Sequence, residues 1–284
     1  CETNTTNNRN HCGACFAICS AGDTCGVTGI GCDEAEIVEI VAGQGFTLAR
    51  RAGGAIAGWG NGSTGGAHGG GNTVDQLVPV HGVAPSLVQV DAGWNGGIGV
   101  TVDGRAFAWG ANGAQQLGDG LTSATNRPGG VYVTGLTDVV HVSMGSNHTC
   151  AVVREDDAGM PVQRVYCWGR DGLAQLGPNG DGTDQHTPIV VPGIDDAIQV
   201  FAGNQISCAL RSDPVDGMSV SCWGTGSGGE LGNGASGSGY ASRTPVNVIS
   251  LPPDTIELVP GGVSRVRARR SSPRVYSFGQ SPSH

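Results

Sequence analysis

Four Trp-Gly pairs and one Phe-Gly pair close five copies of a single residue arrangement, and this recurrence constrains the fold more than any other feature of the chain. Each copy opens on β-type alternation, reaches a leading Gly, places a small residue six positions later and ends on the aromatic-Gly pair. The first runs through Val38, Ile40, Gly43, Ala49, Trp59 and Gly60, and the second through Val88, Val90, Gly93, Gly99, Trp109 and Gly110. The third has Val140, Val142, Gly145, Ala151, Trp168 and Gly169; the fourth has Ile198, Val200, Gly203, Ala209, Trp223 and Gly224. A degraded fifth keeps Val259, Gly262, Ala268, Phe278 and Gly279. Self-similarity at a long period marks an array of supersecondary units that bury their apolar faces on their neighbours.

Within a unit the apolar period is two, so the segments are strands, and no helical period competes. From leading Gly to closing aromatic is 16 residues in the first, second and fifth units, 23 in the third and 20 in the fourth. The extra residues, Glu155 to Gln163 and Asp213 to Met218, are polar and turn-rich, which places them at a hairpin tip. In the second unit Val100 to Val102 leads into Asp103-Gly104 and Arg105 to Trp109 returns, predicting a type I′ turn with positive φ at both central residues. Gly53-Gly54 holds the same place in the first unit. Successive leading glycines are 50, 52, 58 and 59 residues apart, room for a blade of about four antiparallel strands. The expected fold is all-β, with β-propeller blades over 33–284.

The 51 glycines and 14% charged residues could signal disorder, but a disordered chain has no reason to hold Trp, Val and Ile in register, so the glycines are turn residues. A formal charge of −9 without a broad basic stripe argues against a nucleic-acid partner. No apolar run approaches the roughly twenty residues of a membrane helix.

Past the aromatic, Leu117-Gly118, Leu176-Gly177 and Leu231-Gly232 recur, and Thr187-Pro188 and Thr244-Pro245 follow in two units. Trp109-Gly110, then Asn112-Gly113-Ala114-Gln115-Gln116-Leu117-Gly118-Asp119-Gly120, resembles the repeat of the regulator of chromosome condensation family, over about residues 37 to 279. The resemblance implies a propeller that is typically seven-bladed. It says little of function, because the family ranges from nucleotide exchange factors to light receptors and secreted inhibitors. A WD40 blade would close on Trp-Asp, and only Asp103-Gly104 echoes the sialidase Asp-box. Five units are fewer than seven, so the natural chain is expected to continue beyond residue 284.

Cys150 and Cys208 each lie five residues after the leading Gly, and Cys167 and Cys222 each precede the closing Trp. Units lacking one lack both: Leu48 with Gly58, Ile98 with Ala108, and Arg267 with Ser277. Joint presence and absence argues that each pair bonds across its hairpin. Six further cysteines, Cys1, Cys12, Cys15, Cys19, Cys25 and Cys32, fall in a stretch with little to form a core, which reads as a disulfide module over 1–32 with fifteen possible connectivities. A zinc site on His11, Cys12 and Cys15 lacks a second tight pair. The run Asn10 to Cys15 resembles Cys-rich modules near the start of bacterial surface proteins. Cys1 could instead carry a lipid, although it makes the count of the module even. The bridges imply an oxidising compartment: secreted, periplasmic or cell surface.

His11, His68, His81, His141, His148, His186 and His284 show no metal-type spacing, and His148 takes a slot filled elsewhere by Phe46, Gly96 and Ile206. Asn179 to Asp184 resembles half a calcium loop but has Asp184 at the sixth position and Val190 at the twelfth, so it reads as a polar turn. Arg265, Arg267, Arg269, Arg270 and Arg274 form the one basic patch, read as a solvated edge because Arg269 and Arg270 match Arg50 and Arg51. The closing tryptophans are expected to pack against their own blades. Trp94 stands where Gln44, Ser146 and Asn204 stand elsewhere, and is the candidate contact residue.

No catalytic, cofactor or metal site is nominated. The expected function is a non-catalytic extracellular or cell-surface module presenting propeller loops to a protein or glycan, with tethering through sequence outside the chain left open. The alternative is a propeller hydrolase or lyase working in the central channel, and guanine nucleotide exchange ranks below both.

Overall fold

The computed structural model describes residues 36–213, 217–251, 254–260, 265–270 and 275–279, with the backbone of 24–25 and 32–33. In the N-terminal stretch β1 (Thr24–Cys25) and β2 (Cys32–Asp33) pair antiparallel, with Cys25 opposite Cys32. The rest of the expected Cys-rich module, including Cys1, Cys12, Cys15 and Cys19, lies outside the described residues, as do Gly262 and Arg274.

Each sequence unit then forms one antiparallel meander, a blade. The first is β3 (Ile37–Ala42), β4 (Phe46–Arg51), β5 (Ile56–Gly60) and β6 (Gln76–His81); the second is β7 (Leu87–Ala92), β8 (Gly96–Thr101), β9 (Ala106–Gly110) and β10 (Arg127–Tyr132). The third comprises β11 (Val139–Met144), β12 (His148–Asp157), β13 (Met160–Gly169) and β14 (Gln185–Val191); the fourth comprises β15 (Ala197–Ala202), β16 (Ile206–Asp213), β17 (Gly217–Thr225) and β18 (Ala241–Asn247). The fifth has three strands among the described residues: β19 (Thr255–Pro260), β20 (Arg265–Arg270) and β21 (Val275–Gly279). In this last blade Leu258, not Val259, takes the register of Val90, because it faces Ala268 as Val90 faces Gly99.

Alternation gives every blade two faces. The trailing face of the first, with Phe46, Leu48 and Ile56, packs on Leu87, Val90 and Trp109 of the leading face of the second. The same sandwich repeats around Trp168 and Trp223, and Leu258 packs on the fourth blade. The core is therefore a series of seams between blades, each made by residues about fifty apart in sequence.

The leading glycines are explained by these seams. A Cβ on Gly43 would lie 2.4 Å from the carbonyl oxygen of Gly93, one on Gly93 2.4 Å from that of Gly145, and one on Gly145 2.1 Å from that of Gly203. Each blade meets the next where no side chain fits.

One expectation is extended and one corrected. Three tryptophans pack within their own blades and also bond to the preceding one: Trp109 Nε1 donates to the carbonyl of Ala67 (3.0 Å), Trp168 to Gln116 (2.9 Å) and Trp223 to Gln175 (2.9 Å). The alternation that places the aromatic on the leading face makes this unavoidable. The turn at Asp103-Gly104 has positive φ at Gly104 (76°) and not at Asp103, so it is a three-residue loop of type I geometry ending on a left-handed Gly. Asp103 is held in that form by Thr101 Oγ1 and Arg105.

The disulfides Cys150–Cys167 and Cys208–Cys222 bridge directly opposed residues of β12 and β13 and of β16 and β17, as the sequence pattern argued. The hairpin insertions extend β12, β13, β16 and β17 outward and leave the seams untouched.

Candidate functional site: the channel between the innermost strands

The first strand of each blade lines a central cavity of about 780 Å³. Glu39, Gln89, His141, Gln199 and Glu257 share one register position on β3, β7, β11, β15 and β19. Neighbouring innermost strands belong to separate sheets, so their facing backbone groups need partners from side chains. Gln89 supplies both: its Nε2 donates to the Val142 carbonyl (2.9 Å) and its Oε1 accepts from Val142 N–H (2.9 Å). Gln199 does the same to Leu258, at 3.0 and 2.7 Å. Glu39 accepts from Val90 N–H (3.3 Å) and pairs with Arg50 (2.6 Å), and His141 Nδ1 receives Val200 N–H at 3.5 Å. Burial pushes the His141 pKa down to about 4, so the ring is neutral at pH 7.

Two residues further along, Asp91 accepts from Met144 N–H (2.9 Å) and Ser143 Oγ accepts from Ala202 N–H (3.0 Å). Desolvation raises the Asp91 pKa to about 6 against the lowering effect of its hydrogen bonds to Ser143, Met144 and Ala92.

At the mouth stand Gln44, Trp94, Ser146 and Asn204, each following a leading Gly. Backbone bonds stitch this rim: Gln44 N–H to Trp94 O (3.2 Å), Trp94 N–H to Gly145 O (3.3 Å) and Ser146 N–H to Gly203 O (3.1 Å). Trp94 is half-buried, with its backbone pinned on both sides. An indole in the cavity lining, carried on a backbone held in this way, is suited to recognition through stacking and hydrogen bonding. The three carboxylates of the cavity already have partners, Glu39 with Arg50, Glu257 with Arg269 and Asp91 with backbone N–H groups. Among the described residues no group of three His, Cys, Asp or Glu side chains is placed to hold a metal ion.

Of the other residues singled out in the sequence, His148 is fully buried away from the cavity, its Nε2 2.9 Å from Ser207 Oγ of the next blade. Asp181 organises a polar turn through Thr183, as expected of Asn179 to Asp184. Arg267 and Arg269 are exposed on the last blade, while only the backbone of Arg265 and Arg270 is described. The stitching position was not singled out from sequence. Its signal was available, since one polar residue recurs between β-branched neighbours, as Gln89 between Val88 and Val90 and Gln199 between Ile198 and Val200.

Blades radiating from a strand-lined channel define a β-propeller repeat protein. A family model described as the Regulator of chromosome condensation (RCC1) repeat matches residues 103–152 and 163–210, and a second model of the same repeat matches 139–175. These residues are therefore similar to the repeat of the regulator of chromosome condensation family. The chain is 29% identical over 202 residues to the ultraviolet-B receptor UVR8 of Arabidopsis thaliana, covering 69% of this chain and 43% of that protein. It is 26% identical over 226 residues to the protein pim1 of Schizosaccharomyces pombe, covering 70% and 39%. It thus spans less than half of the length of these relatives. The crystal structure of Prp20p from Saccharomyces cerevisiae superposes with a TM-score of 0.66 at 19% identity, over 86% of this chain and 57% of that one, which shows the shared fold.

Proposed function

We propose that the chain is a non-catalytic binding module that holds a protein partner at the mouth of its channel. The observation that carries this reading is Trp94, an aromatic side chain in a slot held by Gln44, Ser146 and Asn204 in the first, third and fourth blades, half-exposed at the rim of the cavity. Hot-spot residues of interfaces are commonly such pinned aromatics. The Prp20p structure is described together with binding to Gsp1p and histones, which makes a protein the favoured partner class for this fold. The two bridged hairpins favour an oxidising compartment, secreted or at a cell surface, for this chain.

The test is capture from a matched extracellular protein fraction with the immobilised chain and with Trp94→Ala in parallel. A specific protein retained by the first and reduced at least tenfold on the second supports the reading. Equal retention on both removes Trp94 from the site, and retention of glycans alone replaces the partner class.

A further inference from the structure

Carboxamides dominate the rim of the channel. Four short turns join the first strand of a blade to its second there, Gln44-Gly45, Trp94-Asn95, Ser146-Asn147 and Asn204-Gln205. Together they hold five carboxamides, one indole and one hydroxyl, and no charged side chain, in a chain whose formal charge is −9. Three of these turns belong to blades packed against a neighbour on each side.

The polar groups of the rim are not used by the fold. Among the described residues the side chains of Gln44, Asn95, Asn147 and Gln205 and the indole N–H of Trp94 have no hydrogen-bond partner. Asn204 engages only its Oδ1, which accepts from Ser146 Oγ at 2.8 Å. The backbone of the same turns is committed. The carbonyl oxygens of Gly45, Asn95, Asn147 and Gln205 accept from the N–H groups of Asn61, Ala111, Arg170 and Thr225 at 2.8–2.9 Å, in addition to the bonds that tie one turn to the next. A ligand at the mouth therefore meets side-chain amides and an aromatic face on a fixed frame, without a free strand edge to extend.

We propose that the mouth of the channel grips a neutral saccharide, carried as a glycan by the protein partner. This rests on the reading of the mouth as a protein-binding site and names the part of the partner that is held. A carboxamide sets two donors beside an acceptor, which matches the neighbouring hydroxyls of a sugar, each of them donor and acceptor at once. Trp94 offers its ring face to the C–H face of a pyranose and its N–H to a hydroxyl. An acidic sugar finds no cation in the rim turns, and the cavity below them is lined by Glu39, Asp91 and Glu257. Since no ion pair contributes, the affinity is independent of salt.

The test probes the immobilised 284-residue chain with free neutral oligosaccharides and with sialylated, sulfated and uronic-acid oligosaccharides. Neutral sugars should bind, equally well as salt is raised. Trp94→Ala should weaken that binding about tenfold or more, and Asn147→Ala, whose side chain bonds nothing in the fold, about fivefold. Both variants should melt like the wild type. Binding of acidic sugars alone, binding of none, or equal binding by Trp94→Ala overturns the proposal. So does a protein partner that Trp94→Ala fails to capture but that the wild-type chain still captures after enzymatic removal of its glycans, a result that leaves the protein-binding reading in place. Neutral sugars bound with no protein captured upholds the saccharide site and removes that reading.

Discussion

Trp168 donates its indole N–H to the carbonyl of Gln116 at 2.9 Å, joining residues 52 apart in sequence and belonging to adjacent blades. The same carbonyl accepts from Thr149 Oγ1 at 2.7 Å, so one backbone oxygen anchors two groups of the following blade. Trp168→Phe is expected to destabilise by about 1–3 kcal/mol, from the lost hydrogen bond and the smaller ring. Trp59→Phe, whose indole lacks such an acceptor among the described residues, should stay within about 0.5 kcal/mol. Denaturant titration of both variants checks the contrast.

Gly145→Ala should destabilise by about 1–3 kcal/mol, because the new methyl would lie 2.1 Å from the Gly203 carbonyl oxygen and force two blades apart. Gly113→Ala is the control: nothing lies within 4 Å of its Cβ position and its φ is not positive, so thermal unfolding should be nearly unchanged.

The bridges Cys150–Cys167 and Cys208–Cys222 close loops of 17 and 14 residues, and all four cysteines are fully buried. Replacing the first pair by alanines is expected to destabilise by about 3 kcal/mol through the freed unfolded chain. Mass spectrometry after thiol labelling should find these four unlabelled in the native protein under mild reductant, and labelled once denaturant is added.

Acid should destabilise the fold between pH 6.5 and 4. Burial lowers the pKa of His148 to about 4, as it does that of His141, so in this window the unfolded chain takes up protons that the folded one refuses. Asp91 opposes this. Its folded pKa of about 6 lies above the unfolded 3.8, so its contribution is complete below pH 3.8 and is lost as pH rises through 6. Asp91→Asn keeps the acceptor for Met144 N–H and removes the opposing contribution, so its melting temperature should fall more steeply than that of wild type from pH 6 to 4.

Much of the fold was legible because repetition places the same residue at the same structural position five times. Gly43, Gly93 and Gly145 marked the ends of the innermost strands, Trp109, Trp168 and Trp223 the third strands, and the paired cysteines the cross-hairpin bridges. The turn at Asp103-Gly104 was misassigned because an Asp-Gly pair suits two loop lengths, and the Thr101 and Arg105 contacts that choose between them depend on strand register. Trp94 stood out as an exception to the repeat, but its place at the channel mouth did not.

By itself the sequence determined the strands, their hairpins, the two bridges and the order of the blades, because these rest on alternation and contacts within one unit. Only the tertiary structure decided which face of each blade meets which neighbour. That is why the leading Gly, explicable in sequence as a turn, proves to be the point where the next blade's carbonyl passes, and why Trp168 binds Gln116 rather than its own strand. The seams join residues some fifty positions apart, and no local pattern encodes the partner across such a distance.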